Sequence, residues 1–199
     1  MDIIRGIDIL FALFGMVFLL PFLLIVALLI KLTSKGPIFY LQNRVGKNEE
    51  DFKVFKFRTM STGADKKGYL TVGGKDSRVT KVGYYLRKFK IDELPQLVNV
   101  LKGEMSLVGP RPEVRKYVDT YSTEQKRVLR VLPGITDYAS ITFRNENELL
   151  ANASDPEEYY IKVIMPRKIE LNFIYINNRS INEYFKIIGK TLKTAVEGR

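Results

Sequence analysis

A run of about 22 residues, Ile9 to Ile30, carries no charged side chain, and no other feature constrains the folding of this 199-residue chain as strongly. As one straight helix such a run covers roughly 33 Å, enough to cross a hydrocarbon core of about 30 Å. A buried core helix is the other reading, but the run lacks a polar stripe on any face. It is too long for the apolar part of a signal peptide, and no small-residue cleavage site follows it. Pro21 sits in its middle, where a proline removes one backbone hydrogen bond and kinks a helix. The run therefore reads either as a kinked span or as a re-entrant helix-break-helix that enters and leaves by the same face. Arg5 precedes it, and Lys31 and Lys35 follow it. Basic flanks on both sides give no orientation by the positive-inside rule, and a same-side hairpin would carry them too.

Beyond Lys35 the chain reads as a soluble body, which predicts an anchor over 1–36 and a second unit over 37–199. Gly36-Pro37 marks the turn between them. Ile38 to Gln42 and Phe52 to Arg58 are rich in strand formers, and the polar stretch Asn43 to Asp51 predicts a long hairpin loop. Residues 61–79 carry Gly63, Gly68, Gly73 and Gly74 among many charges, which predicts a mobile functional loop. Helices are predicted over Lys81–Lys90, Leu94–Leu101 and Thr123–Leu132, the last ended by Pro133-Gly134. Another covers most of Asp155–Asn177, broken at Pro166. Asn182–Val196 is amphipathic, with Tyr184, Phe185, Ile188, Leu192 and Ala195 on one side. It can pack on the core or lie in a membrane interface.

Composition narrows the chemistry. The chain has no His, Cys or Trp, and 32 Lys+Arg against 22 Asp+Glu give it a charge of +10. Thiolate nucleophiles, disulfides, iron–sulfur clusters and His-based triads are excluded, and a structural zinc site is disfavoured. Any catalysis must rest on carboxylates, hydroxyls, Lys, Arg or an oxygen-ligated hard metal. The positive balance points to an anionic partner: nucleic acid, a phosphorylated small molecule or an anionic membrane.

Two short motifs can carry such chemistry. Ile91-Asp92-Glu93-Leu94-Pro95 has the form of an ordinary helix start. Adjacent carboxylates there can also share Mg²⁺, and an aspartate can form an acyl-phosphate. In Gly109-Pro110-Arg111-Pro112, Pro110 and Pro112 fix the backbone around an arginine whose fork suits phosphate oxygens. A rigid turn with a solvated arginine is the plainer alternative. Lys56 and Arg58 alternate with Phe55 and Phe57, so both point to one face of a strand. Arg78, Arg87 and Arg144 read singly as surface charges and together as a phosphate-binding bowl. Neither a P-loop nor a dinucleotide-binding glycine motif is present.

Several motifs occur in the order of one family: Lys56-Phe57-Arg58-Thr59-Met60, Asp76-Ser77-Arg78-Val79-Thr80, Asp92-Glu93-Leu94-Pro95-Gln96-Leu97, the run from Asn99 to Pro112, and Pro133-Gly134-Ile135-Thr136. The chain resembles the bacterial sugar transferases, small monotopic phosphoglycosyl transferases acting on polyprenyl phosphate. The resemblance is specific through about residue 145 and looser beyond. It implies a helix-rich α+β body on a re-entrant membrane helix, broken at Pro21, although Leu20 stands where some members have Ser. It implies transfer of a sugar 1-phosphate from a UDP-sugar to undecaprenyl phosphate, releasing UMP, at the cytoplasmic face of the bacterial inner membrane. It further implies Asp92 as nucleophile with Glu93 beside it, both at Mg²⁺, and Lys56, Arg58, Arg78, Arg87, Pro110, Arg111, Pro112 and Arg144 at the phosphates and nucleotide-sugar.

One departure from the family pattern stands out. After Pro-Gly-Ile-Thr many members continue Gly-Trp-Ala-Gln, whereas this chain has Asp137-Tyr138-Ala139-Ser140. That suggests an amino or deoxy sugar, with Asp137 against an amine. Against the enzyme stand two other readings: a membrane-tethered basic binding module, and a transferase in which the lipid phosphate attacks directly. Nucleic acid is disfavoured for want of its motifs; a homo-oligomer is compatible with the sequence.

Overall fold

The computed structural model describes residues 2–64, 70 and 76–197. Its first element is a single helix, α1 (Ile3–Thr33), started by Asp2, whose side chain accepts from the Ile4 N–H. The expected break at Pro21 is absent: α1 runs unbroken through it. Pro21 forfeits one backbone bond, but Met16 and Leu19 before it and Leu23, Val26 and Ile30 after it all pack on the same apolar cluster. The helix thus continues past a residue that ordinarily weakens one, with apolar packing on both sides of it.

One face of α1 is seated on the body along its length. Ile4 joins Val108, Tyr175, Tyr184 and Ile187, Ala12 joins Val54, Leu97, Val100 and Met105, and Ile30 joins Phe57 and Leu86. The opposite face is bare, with Phe14 68%, Phe18 73% and Leu32 73% exposed. An apolar surface this continuous marks contact with a lipid phase or a partner.

Polar contacts fasten the start of α1. Arg5 donates to the carbonyls of Val100 (2.7 Å) and Met105 (3.3 Å), so this flank charge closes the C-terminal end of the next helix but one. Asp8 is 1% exposed. It accepts from Tyr184 Oη at 2.7 Å, the Leu107 N–H at 2.9 Å and Ser106 Oγ at 3.0 Å. Asp8→Ala is expected to leave these three buried donors without an acceptor and to cost about 3 kcal/mol. Thermal unfolding in detergent measures this, and Asp8→Asn, which keeps an acceptor, should lose less than half as much.

A hairpin follows. β1 (Phe39–Val45) pairs antiparallel with β2 (Asp51–Phe57), from Phe39 opposite Phe57 to Val45 opposite Asp51. The strands reach further toward the turn than the sequence predicts, because Asn43 and Arg44 join the ladder despite their polarity. The loop shrinks to 46–50, where Asn48 and Glu49 take positive φ. The 61–79 loop lies largely outside the described residues. Its ends are pinned where the Ser61 N–H donates to the Arg78 carbonyl at 2.9 Å and the Thr80 N–H to that of Thr59 at 2.9 Å.

Next come α2 (Lys81–Lys88), a 3₁₀ turn over Ile91–Gln96 and α3 (Leu97–Lys102). Asn99, fully buried, donates to the Lys53 carbonyl at 2.8 Å and accepts from the Phe55 N–H at 2.9 Å, locking α3 to β2. A parallel pair that the sequence reading does not foresee, β3 (Ser106–Val108) with β4 (Gly134–Thr136), links segments far apart in the chain. The two segments meet at glycines: a Cβ on Gly134 would lie 2.0 Å from the Gly109 nitrogen.

The remaining chain is helical: α4 (Arg115–Val118), α5 (Tyr138–Thr142), α6 (Glu146–Ala151), α7 (Pro156–Tyr159), α8 (Met165–Asn177) and α9 (Ile181–Val196). Thr123–Leu132 forms 3₁₀ structure over Gln125–Arg130 in place of the expected α-helix. Pro166 breaks nothing, because it occupies the first turn of α8, where no N–H is needed, after a π-helical turn over Tyr160–Ile164. α9 packs on the core. Tyr184 and Ile187 are buried, while Phe185 is exposed and meets Phe11 of α1 edge-on at 6.2 Å, extending the bare apolar surface.

Candidate active site

Asp92 and Glu93 lie in the 3₁₀ turn after Lys90, whose left-handed backbone (φ 57°) turns the chain sharply inward. Both carboxylates are buried, and they have opposite surroundings. Burial, reinforced by the neighbouring Glu93, pushes Asp92 up to about 6. Its Oδ1 is enclosed and has no hydrogen-bond partner among the described residues. Burial acts on Glu93 in the same sense, but Arg111 and Lys56 hold it well below the ordinary carboxylate range. Arg111 takes both Glu93 oxygens, with Nη1 at 3.0 Å from Oε2 and Nη2 on Oε1. Lys56 Nζ sits 3.5 Å from Oε1. Burial pushes the Lys56 ammonium down to about 8, opposed by Glu93. Two adjacent acids are thus set apart: one ion-paired, one poised near neutrality.

The Pro110-Arg111-Pro112 turn is fixed from three sides. Pro110 accepts from the Gly134 N–H at 2.9 Å, the Arg111 N–H donates to Asp137 Oδ2 at 2.9 Å, and Arg44 Nη1 donates to the Pro112 carbonyl at 3.1 Å. Arg44, on β1, also holds Glu113 at 2.9 Å. The sequence reading misses Arg44, because nothing in a strand pattern marks which turn a basic side chain will meet. Asp137 is fully buried, and its other oxygen accepts from the Ser140 N–H at 2.5 Å. It is therefore committed to backbone, and the suggested contact with a sugar amine is withdrawn.

These groups open onto a cavity of about 890 Å³. Among the described residues, Lys56, Arg58, Arg78, Arg87, Arg111, Arg144, Pro110 and Pro112 all border it, as do Asp92 and Glu93. Three arginines are engaged in ways that the sequence does not indicate. Arg58 spends its guanidinium on the carbonyls of Ser34 (3.0 Å), Lys35 (2.5 Å) and Pro37 (2.6 Å), closing the C-terminal end of α1. Arg78 pairs with Asp76 at 2.6 Å and donates to the Leu70 carbonyl at 2.9 Å. Arg144 donates to the Thr194 carbonyl. Leu94 and Leu97 line the cavity and also pack against α1, so cavity and apolar helix share a wall.

Mg²⁺ takes hard oxygen ligands and is commonly held by one or two carboxylates together with substrate phosphates. Asp92 suits this, since its Oδ1 lacks a partner. Glu93 does not, because both its oxygens are already in ion pairs. Among the described residues no group of three or more carboxylate side chains converges as a metal cage.

The site thus combines a buried carboxylate pair with a cavity bordered by several cationic side chains, on a body packed against a long apolar helix. The chain belongs to the bacterial sugar transferase family, whose model matches residues 2–198. It is 41% identical over 199 residues to the UDP-N-acetylgalactosamine-undecaprenyl-phosphate N-acetylgalactosaminephosphotransferase of Aeromonas hydrophila, covering 98% of this chain and 44% of that protein. It is 40% identical over 176 residues to the UDP-glucose:undecaprenyl-phosphate glucose-1-phosphate transferase of Klebsiella pneumoniae, covering 86% of this chain and 35% of that protein. A third relative, the exopolysaccharide production protein ExoY of Sinorhizobium fredii, is 39% identical over 157 residues, with 71% of this chain and 70% of that protein covered. The chain thus spans less than half of the first two relatives.

Proposed function

We propose that this chain transfers a sugar 1-phosphate from a UDP-sugar to undecaprenyl phosphate. The observation that carries the reading is Asp92: a buried carboxylate with an unpartnered oxygen, beside a Glu93 neutralised by Arg111 and Lys56. Neutralising Glu93 removes the charge that would repel an incoming diphosphate. The Asp92 carboxylate attacks the sugar-bearing phosphorus, the bond from that phosphorus to the bridging oxygen breaks, and UMP leaves. An oxygen of the lipid phosphate then attacks the same phosphorus and returns the carboxylate. The fixed Pro110-Arg111-Pro112 turn and the cationic wall orient the diphosphate. Mg²⁺, held by Asp92 with substrate oxygens, would offset negative charge on the leaving group.

The shared wall between cavity and α1 supports a lipid-borne acceptor. Both ends of α1 rest on the same body, which favours a monotopic seat at the cytoplasmic face of the bacterial inner membrane over a span. A cysteine added at the N-terminus of this Cys-free chain should stay shielded from periplasmic labelling; labelling would establish a span.

The test of the reaction is a panel of UDP-sugars with undecaprenyl phosphate, assayed for UMP. The expected result is UMP release that stops in EDTA and returns with Mg²⁺. Release unaffected by EDTA would remove the metal. No release from any donor would leave a binding module.

A further inference from the structure

Building on that reading, we infer that Ser140 and Asn172 form a neutral polar subsite that takes an amide-like edge of the donor, apart from the cradle for its diphosphate. Asn172 is 6% exposed, and its Oδ1 is enclosed with no hydrogen-bond partner. Ser140 Oγ is enclosed and unpartnered in the same way. Both residues line the cavity that holds Asp92. They come from α5 and α8, which pack closely on each other. Buried polar atoms are almost always hydrogen-bonded, because an unmade bond is costly. Two enclosed, unpartnered atoms on residues that line one cavity are groups that a ligand settling into it could complete.

The surroundings narrow the ligand. Phe143, Met165 and Ile169 line the same cavity and belong to the apolar cluster around Leu150 and Ile164. Burial among these side chains disfavours a charged group and suits a small planar one with apolar faces. The Asn172 Oδ1 accepts from an N–H, and the Ser140 hydroxyl both donates and accepts. An amide or imide edge satisfies the pair. In a UDP-sugar that chemistry has two sources: an acetamido group on the sugar, or the imide edge of the uracil. The Ser140 N–H donates to the Asp137 carboxylate, which fixes the start of the helix that carries Ser140.

The experiment uses the full chain in detergent, with Ser140→Ala, Asn172→Asp and Asn172→Leu checked by thermal unfolding. UMP release is measured with UDP-N-acetylgalactosamine, UDP-N-acetylglucosamine, UDP-galactose and UDP-glucose, and UMP binding by calorimetry. If the acetamido group is the ligand, kcat/KM for the acetylated donors falls about tenfold or more, with the others unchanged. If uracil is the ligand, all active donors fall together and UMP binding weakens by a similar factor. Either result supports the subsite. Folded variants with every donor and UMP binding within twofold of the parent would overturn it, and would assign the two atoms to bound water. A parent chain that binds UMP and turns over no donor would overturn the proposed reaction, while the binding comparison still judges the subsite.

Discussion

Asp92→Asn is expected to lose at least about 10³-fold in turnover, because it removes the attacking oxygen while preserving shape. With a labelled UDP-sugar and no lipid, the parent chain should become labelled and release one equivalent of UMP; the variant should do neither. Wild-type turnover in Asp92→Asn would overturn the assignment, and turnover without labelling would favour direct attack by the lipid phosphate. The same substitution should stabilise the fold. The Asp92 acid lies above its usual 3.8, at about 6. An acid raised in the folded state contributes stability in its protonated form, and that contribution is lost as pH rises through about 6. At pH 7 the ionised group is a net cost of order 3 kcal/mol, which asparagine lacks. Melting curves of the metal-free protein should show the variant ahead at pH 7.5 and the gap closing toward pH 4. The parent's kcat/KM should decline below about pH 6.

Arg111→Leu carries the second large effect. It leaves Glu93 buried with Lys56 as its remaining ion-pair partner among the described residues. Breaking a buried pair from one side costs about 3–5 kcal/mol, and loss of the oriented fork should lower turnover by roughly 10²–10³. Arg111→Lys should restore part of the stability and little of the activity, since an ammonium cannot span both carboxylate oxygens. Removing both partners, as Arg111→Leu with Glu93→Leu, should recover most of the stability and none of the activity. A double variant as unstable as Arg111→Leu would show that the cost lies elsewhere, in the turn held by Gly134 and Asp137.

The features legible from sequence were those encoded locally. The uncharged run marks α1, strand-forming residues mark β1 and β2, and short motifs single out Asp92, Glu93, Arg111 and Lys56, which the fold brings to one cavity. The features that escaped depend on long-range meetings. β3 and β4 are three residues each, too short to show a period, and they exist because Gly109 and Gly134 let two backbones touch. Arg58 looks in sequence like Lys56, two positions away on the same face, yet it ends on the carbonyls of Ser34, Lys35 and Pro37, just past α1, while Lys56 ends on Glu93. Its fate was set by where α1 stops, which no strand pattern records. Pro21 misled for the same reason: local chemistry predicts a break, and tertiary packing on both sides overrides it.

The Arg58 clasp has a consequence for how an acceptor is found. It joins the end of α1 to the strand that carries Lys56, so the height of the apolar helix in a bilayer and the height of the reacting phosphorus are one mechanical variable. Under the proposed reaction, a polyprenyl acceptor would meet this site by sideways wandering within a sheet, and its search would be two-dimensional, governed by lateral crowding and not by bulk concentration.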